Sequence, residues 1–198
     1  FLMAQAATAE EVSLAVAANF TAPMQKIASE FEKDTGHKVT LAFGATGKFY
    51  AQIKAGAPFQ MLLAADDETP ARLVKEGDGV AGSRFTYATG KLVLWSAQVG
   101  RVDNQGLVLK AADLGKVALA SPKVAPYGAA AVEPMGQLGL TAALAPRLVQ
   151  GESIGQTFAF AATGNADVGF VALSQVLEGG KLKNGSVWRS EERRVGKE

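Results

Sequence analysis

The chain has 198 residues, 48% of them hydrophobic and 20% charged, with a formal net charge of +1. That is a globular composition, enough for one large domain or two small ones, and it lacks the basic surplus of a dedicated nucleic-acid binder. With no cysteine and one histidine, disulfides, thiolate metal sites and a histidine-rich metal cluster are all excluded.

The chain begins "FLMAQAATAEEV", three apolar residues followed by A-x-A patterns. This reads as the tail of a secretory signal peptide over residues 1–9, cleaved before Glu10, and it implies export to a periplasm or outside the cell. The plainer alternative is an ordinary N-terminal extension. No apolar run is long enough to span a bilayer.

"VSLAVAANF" reads as a strand ending in Asn19, a good helix cap, and "TAPMQKIASEFEKDTG" puts Met24, Ile27, Ala28 and Phe31 at helical spacing before Gly36. His37, beside Lys38 at the next strand start, reads as a surface residue. "KVTLAF" and "QMLLAA" are strands, "KFYAQIKAGAP" and "DETPARLVKEG" helices. Strand and helix alternate three times over residues 12–77, which calls for a parallel sheet covered by helices. "SRFTYATGKLVLWSA" (83–97) is a β-rich stretch about twice the usual strand length, broken near Gly90, and so a candidate hinge between two lobes. Alternation resumes with "KVALASP" as strand, "YGAAAVEPMGQLG" and "ESIGQTFAFAATG" as helices, and "ADVGFVAL" as strand, a second α/β lobe. The closing "RSEERRVGKE" (189–198) has no periodicity and resembles the translation of a sequencing-library adapter. On that reading the natural chain continues past Trp188; a charged, solvated tail is the alternative.

One turn raises a chemical question. "LAFGATGKFYAQI" joins a strand to a helix through Gly44-Ala45-Thr46-Gly47-Lys48. A Walker A loop needs four residues between its first glycine and the Gly-Lys pair, then Ser or Thr for magnesium. Here Ala45 and Thr46 alone intervene and Phe49 follows Lys48, so this is no nucleotide loop. The setting still offers backbone N–H groups at a helix N-terminus, where the dipole favours an anion, and Thr46 adds a hydroxyl. Ala18-Asn19-Phe20 is a second such place. At carboxyl ends of parallel strands both would face one crevice; ordinary capping is the alternative for each. Lys48 reads as a solvated bystander. Asp66-Asp67-Glu68 reads as a helix cap before Pro70 rather than a metal cluster. There is no G-x-S-x-G elbow and no partner for His37, so nothing reads as catalytic.

The phrases "VAANF", "FGATGKFYAQIKAGAP", "LAADDETPARL", "GSRFTYATGKLVLWSA", "VDNQG", "VAPYGAAA" and "TGNADVGFVALSQV" together resemble the periplasmic molybdate-binding proteins of ABC uptake systems. The resemblance runs from about Glu11 to Trp188. It implies an α/β, two-lobed type II periplasmic-binding-protein fold, with parallel-rich mixed sheets flanked by helices and hinge strands between the lobes. The domains it implies are lobe 1 over 10–88 with its C-terminal return largely missing, lobe 2 over 89–182, and the start of a return segment over 183–188. A lobe 1 left incompletely covered would expose apolar surface.

Carried over residue by residue, the oxyanion contacts fall on Ala18, Asn19 and Thr46 from the first lobe and on Tyr127 and Ile154 from the second, with Ala45 and Gly47 beside them. The family usually has serine or threonine at the positions of Ala18 and Ala45, so here those donors can only be backbone N–H groups. The implied function is capture of molybdate or tungstate by neutral hydrogen-bond donors and delivery to ABC permease subunits. It implies a monomer with no cofactor, no nucleic acid, no enzymatic activity and no direct protein–metal ligand, the molybdenum entering only as the oxyanion. Charge-assisted bonds from neutral donors suit a dianion, and selection against sulfate must then come from cavity size. A sulfate, thiosulfate or phosphate receptor and the oxyanion-sensing domain of a regulator are the alternatives.

Overall fold

The chain's uninterrupted apolar run Leu14–Ala17 is buried on both faces, the pattern of a central parallel strand. In the computed structural model, which describes residues 10–188 and the backbone of 194–195, this segment is β1 (Glu11–Ala17). The leader-like residues 1–9 and most of the adapter-like tail lie outside the described residues.

Helix α1 (Thr21–Thr35) follows β1 and ends at Gly36, whose left-handed backbone (φ 74°) lets its N–H reach the Glu32 carbonyl. Then come β2 (Lys38–Gly44), α2 (Thr46–Lys54), β3 (Met61–Leu63) and α3 (Glu68–Glu76). Both β2 and β3 pair parallel with β1, giving a three-stranded sheet in the order β2-β1-β3. The predicted apolar face of α1 is only half right. Met24 and Ala28 are buried, whereas Ile27 and Phe31 are 48% and 42% exposed. Helical spacing places them near one another, but the small sheet covers only part of that stripe.

The chain then crosses to the second lobe. Residues 83–89 form no ladder, and β4 is confined to Gly90–Ser96, so the long strand expected over 83–97 is a strap followed by an ordinary strand. Its alternating aromatics resemble a β pattern, but a strand needs a neighbour, and Phe85 lies 78% exposed. The second sheet contains β4, β5 (Val117–Ala120), β6 (Leu148–Gly151) and β7 (Val168–Ala172), interleaved with α4 (Pro126–Gln137), α5 (Thr141–Leu144) and α6 (Ile154–Ala162). After α7 (Leu173–Val176) and the hairpin β8 (Leu177–Glu178) and β9 (Lys181–Leu182), β10 (Ser186–Trp188) returns antiparallel to β4. The order is β10-β4-β7-β5-β6, with the backbone of β11 (Arg194–Val195) also pairing β4. Parallel pairs join β5 to β6 and β7, while β4 runs antiparallel to β7.

The two faces of this sheet make two cores. Leu92, Leu94, Leu119 and Phe170 pack with Tyr127, Ala131 and Met135 of α4; Val93, Trp95 and Val171 pack with Ala161 of α6 and Val176 of α7. Helix α4 lies so near β5 that a Cβ on Gly128 would come 2.2 Å from the Ala120 carbonyl oxygen. Only glycine admits that approach, and the adjacent Tyr127 is fixed by it.

Candidate functional site

The carboxyl ends of β1 and β2 in the first sheet face those of β5 and β6 in the second, and a cavity lies between them. It is lined by Ala18, Asn19, Ala45, Thr46, Tyr127 and Ile154, six of the seven sequence-predicted positions, together with Ala17, Gly44, Ala65, Ala125 and Pro126. No lining residue carries a charge. Four helical starts meet here: the short turn Ala18–Phe20 ahead of α1, and the first turns of α2, α4 and α6. First-turn N–H groups have no intrahelical acceptor, and their dipoles favour negative charge.

Thr46 opens α2 and is 1% exposed. Its Oγ1 accepts the Ala65 N–H at 3.0 Å, which fixes the oxygen and leaves the hydroxyl proton free to be donated. Asn19 carries the one buried side-chain polar atom without a partner among the described residues, its Oδ1. Such an atom is costly unless a polar group meets it. Turning the amide by half a rotation, with its shape unchanged, presents NH2 there instead, a donor for an anion.

Tyr127 is 2% exposed. Burial foremost, and then the neighbouring Tyr87, push its hydroxyl well above the ordinary tyrosine range, with the Asn19 side chain pulling the other way. The group is therefore a neutral donor throughout the physiological range. Ile154 begins α6 behind a Ser153 cap, whose Oγ accepts from the Gln156 N–H. The Ile154 carbonyl accepts from Gln175 Nε2 at 3.1 Å, while Gln175 Oε1 takes the Ala172 N–H, so the start of α6 is tied to the end of β7. Ile154 lines the cavity, and as the first residue of α6 its N–H has no intrahelical acceptor.

Gly47 differs from expectation. It does not line the cavity; its N–H donates to the Val124 carbonyl at 2.9 Å, from the first lobe to the second. Lys48, read as a solvated bystander, pairs with Glu152 across the same gap. A third bridge runs from Ser174 Oγ to the Asn19 carbonyl at 2.6 Å. Asp66 behaves as expected, its Oδ1 accepting the Thr69 N–H at the start of α3, and no group of three or more metal-ligating side chains occurs among the described residues.

Ala65, Ser174, Gln175 and Glu152 escaped the sequence reading. Ala65 had a findable signal, because it follows a parallel strand as Ala18 and Ala45 do. The others act through tertiary contacts that no local pattern records.

The profile of the family described as bacterial extracellular solute-binding protein matches residues 12–195. The molybdate-binding protein ModA of Azotobacter vinelandii is 64% identical over 187 residues, covering 94% of this chain and 74% of that protein. ModA of Rhodobacter capsulatus is 58% identical, over 94% of this chain and 72% of its own length. Among solved structures, the periplasmic molybdate-binding protein of Azotobacter vinelandii superposes with a TM-score of 0.89 at 40% identity, over 93% of this chain and 82% of that one. The sulfate-binding protein SubI of Mycobacterium tuberculosis, at 19% identity and a TM-score of 0.60 over 82% of this chain and 64% of that one, shares the fold alone.

Proposed function

Because the chain belongs to the bacterial extracellular solute-binding protein family, we propose that it captures molybdate or tungstate between its two lobes. The protein is a type II periplasmic binding protein and a transport protein, not an enzyme. Like the two ModA proteins named above, it is a molybdate-binding protein, and it works in the periplasm as the binding component of an ABC transport system. It acts as a monomer that hands its ligand to the membrane permease. The first lobe comprises residues 10–88 and the second runs from 89 through β10, which joins the second sheet rather than returning to the first, and the two hinge at the strap before Gly90.

The observation that carries this reading is a cavity with uncharged walls on which four helical starts converge, with Thr46 and Tyr127 as side-chain donors. A tetrahedral dianion among such dipoles needs no cationic partner, and each bond to it contributes about 1.5–3 kcal/mol. The contacts assigned are Thr46 and Tyr127 hydroxyls, the Asn19 amide, and backbone N–H groups at Ala18, Ala45 and Ile154. Compared with the serine or threonine usual in the family, alanine at 18 and 45 removes two hydroxyl groups, which widens the cavity slightly and suits a larger anion over sulfate.

Calorimetric titration with sodium molybdate, tungstate, sulfate and phosphate tests this. Molybdate and tungstate binding at least tenfold tighter than sulfate or phosphate is the expected result. Equal affinity for sulfate would overturn the assignment of the ligand.

A further inference from the structure

We propose that Gly90 is a positioning residue of the oxyanion site, giving the Tyr127 hydroxyl its seat by having no side chain and thereby setting the size of anion accepted. A Cβ placed on Gly90 would lie 2.1 Å from Tyr127 Oη and 3.1 Å from Cζ. The first distance is a collision; the second is merely tight. Gly90 is not among the glycines with positive φ, so its backbone accepts alanine and the objection is steric alone.

The ring cannot retreat into the core. Tyr127 is 2% exposed and packed in the core of the second lobe, and the helix that carries it is locked by the Gly128 contact with Ala120. Tyr87, on the strap before Gly90, is half-buried and anchored at both its hydroxyl and its ring. Its hydroxyl donates to the Ala64 carbonyl at 2.8 Å, and Phe20 packs edge-on against its ring at 5.0 Å. A side chain at position 90 therefore drives the Tyr127 hydroxyl out of its seat, and the cavity it lines is the open direction. Dense packing turns such a shift into a changed site rather than diffuse strain.

Gly90 is also the first residue of β4, where the strap between the lobes ends. Gly90 itself does not line the cavity; it meets the binding wall through the Tyr127 hydroxyl, whose seat is thereby tied to the end of the strap.

This rests on the molybdate reading, and the test separates the two. Gly90→Ala, Tyr127→Phe and the double variant are made in the full chain, titrated with sodium molybdate and sulfate, and melted without added ligand. Gly90→Ala is expected to weaken molybdate binding by about tenfold or more and to change the molybdate-to-sulfate ratio. In the Tyr127→Phe background the same alanine should cost less than about threefold, because the colliding oxygen is gone. Equal losses in both backgrounds, or molybdate affinity for Gly90→Ala within twofold of the parent, would overturn the proposal. Should Gly90→Ala alone fail to fold, a folded double variant sustains the collision and an unfolded one refutes it. If the parent binds no molybdate, the functional reading falls, and the four melting temperatures still decide whether Gly90 and Tyr127 are coupled.

Discussion

Replacing Thr46 by valine separates two jobs done by one hydroxyl. The oxygen accepts the Ala65 N–H at 3.0 Å, and the proton is the donor assigned to the ligand. Valine keeps the shape and removes both. A hydrogen bond to a charged partner is worth about 1.5–3 kcal/mol, so molybdate affinity should fall about 10- to 150-fold. The stability loss comes from Ala65, whose N–H is left without its acceptor. Ala65 is only half-buried, so water partly compensates and the cost is near the low end, about 1 kcal/mol. For a chain of this length that lowers the melting temperature by about 2–4 °C. Thr46→Ser keeps both functions and should restore both values. Calorimetry gives the affinity and a thermal melt without ligand gives the stability. If Thr46→Val melts lower yet binds molybdate within twofold of the parent, the hydroxyl is only a bracket for the Ala65 turn.

Gly47→Ala sets a Cβ 2.9 Å from the Val124 carbonyl oxygen, so it should weaken molybdate binding by more than about fivefold while leaving the ligand-free melt nearly unchanged; unchanged affinity would show that the lobes need not meet there. Lys48→Met removes a pair whose side chains are 44% and 73% exposed, so the loss in affinity should stay under about fivefold and vanish in about 1 M salt, where screening is nearly complete. An effect that survives high salt would contradict an electrostatic latch. At alkaline pH, burial raises Tyr87 to about 12 and Tyr127 further, above the unfolded value of 10.0. Both groups hold their protons more tightly when folded, so their contribution is complete below pH 10.0 and is lost as pH rises through the folded values. Melting temperature should therefore be flat through neutrality and fall only above about pH 10; a decline between pH 7 and 9 would refute the assignment.

The alternation of strand and helix was legible because buried parallel strands read as apolar runs, as Leu14–Ala17 and Val168–Ala172 do. The site was legible for a related reason. Turns after parallel strands gather at one edge, so Ala18-Asn19 and Ala45-Thr46 could be paired without coordinates. What escaped depends on partners distant in sequence. Residues 83–89 carry a strand's aromatics yet have no strand beside them, while Leu148–Gly151 is a strand whose apolar run stops after two residues at Gln150, unlike the equally short Val117–Ala120. The role of Gly47 followed from the carbonyl of Val124, and that of Lys48 from Glu152, more than a hundred residues later. Ile27 and Phe31 sit at the right spacing for burial, but a three-stranded sheet is too narrow to cover them.

The contacts that join the lobes explain how such a site can both hold and release a dianion. Across the gap run a backbone bond from Gly47 to Val124, a hydroxyl bond from Ser174 to the Asn19 carbonyl, and the exposed Lys48–Glu152 pair. Neutral bonds of this kind contribute about 1 kcal/mol each and an exposed ion pair less. These small gains oppose the freedom lost when the lobes come together, so protein contacts alone leave closure finely balanced. In the proposed site a tetrahedral oxyanion tips that balance because the donors assigned to it come from both sides: Asn19 and Thr46 from one, Tyr127 and Ile154 from the other. A ligand shifts an equilibrium by its differential affinity for the two states, and a dianion touching one lobe alone would shift nothing. The same construction limits the hold, because no fixed cation keeps the anion once the lobes part and water replaces each neutral donor at little loss. An arginine or lysine in the wall would tighten capture in the open state and blunt the dependence of affinity on closure, the property that the proposed delivery to a permease requires.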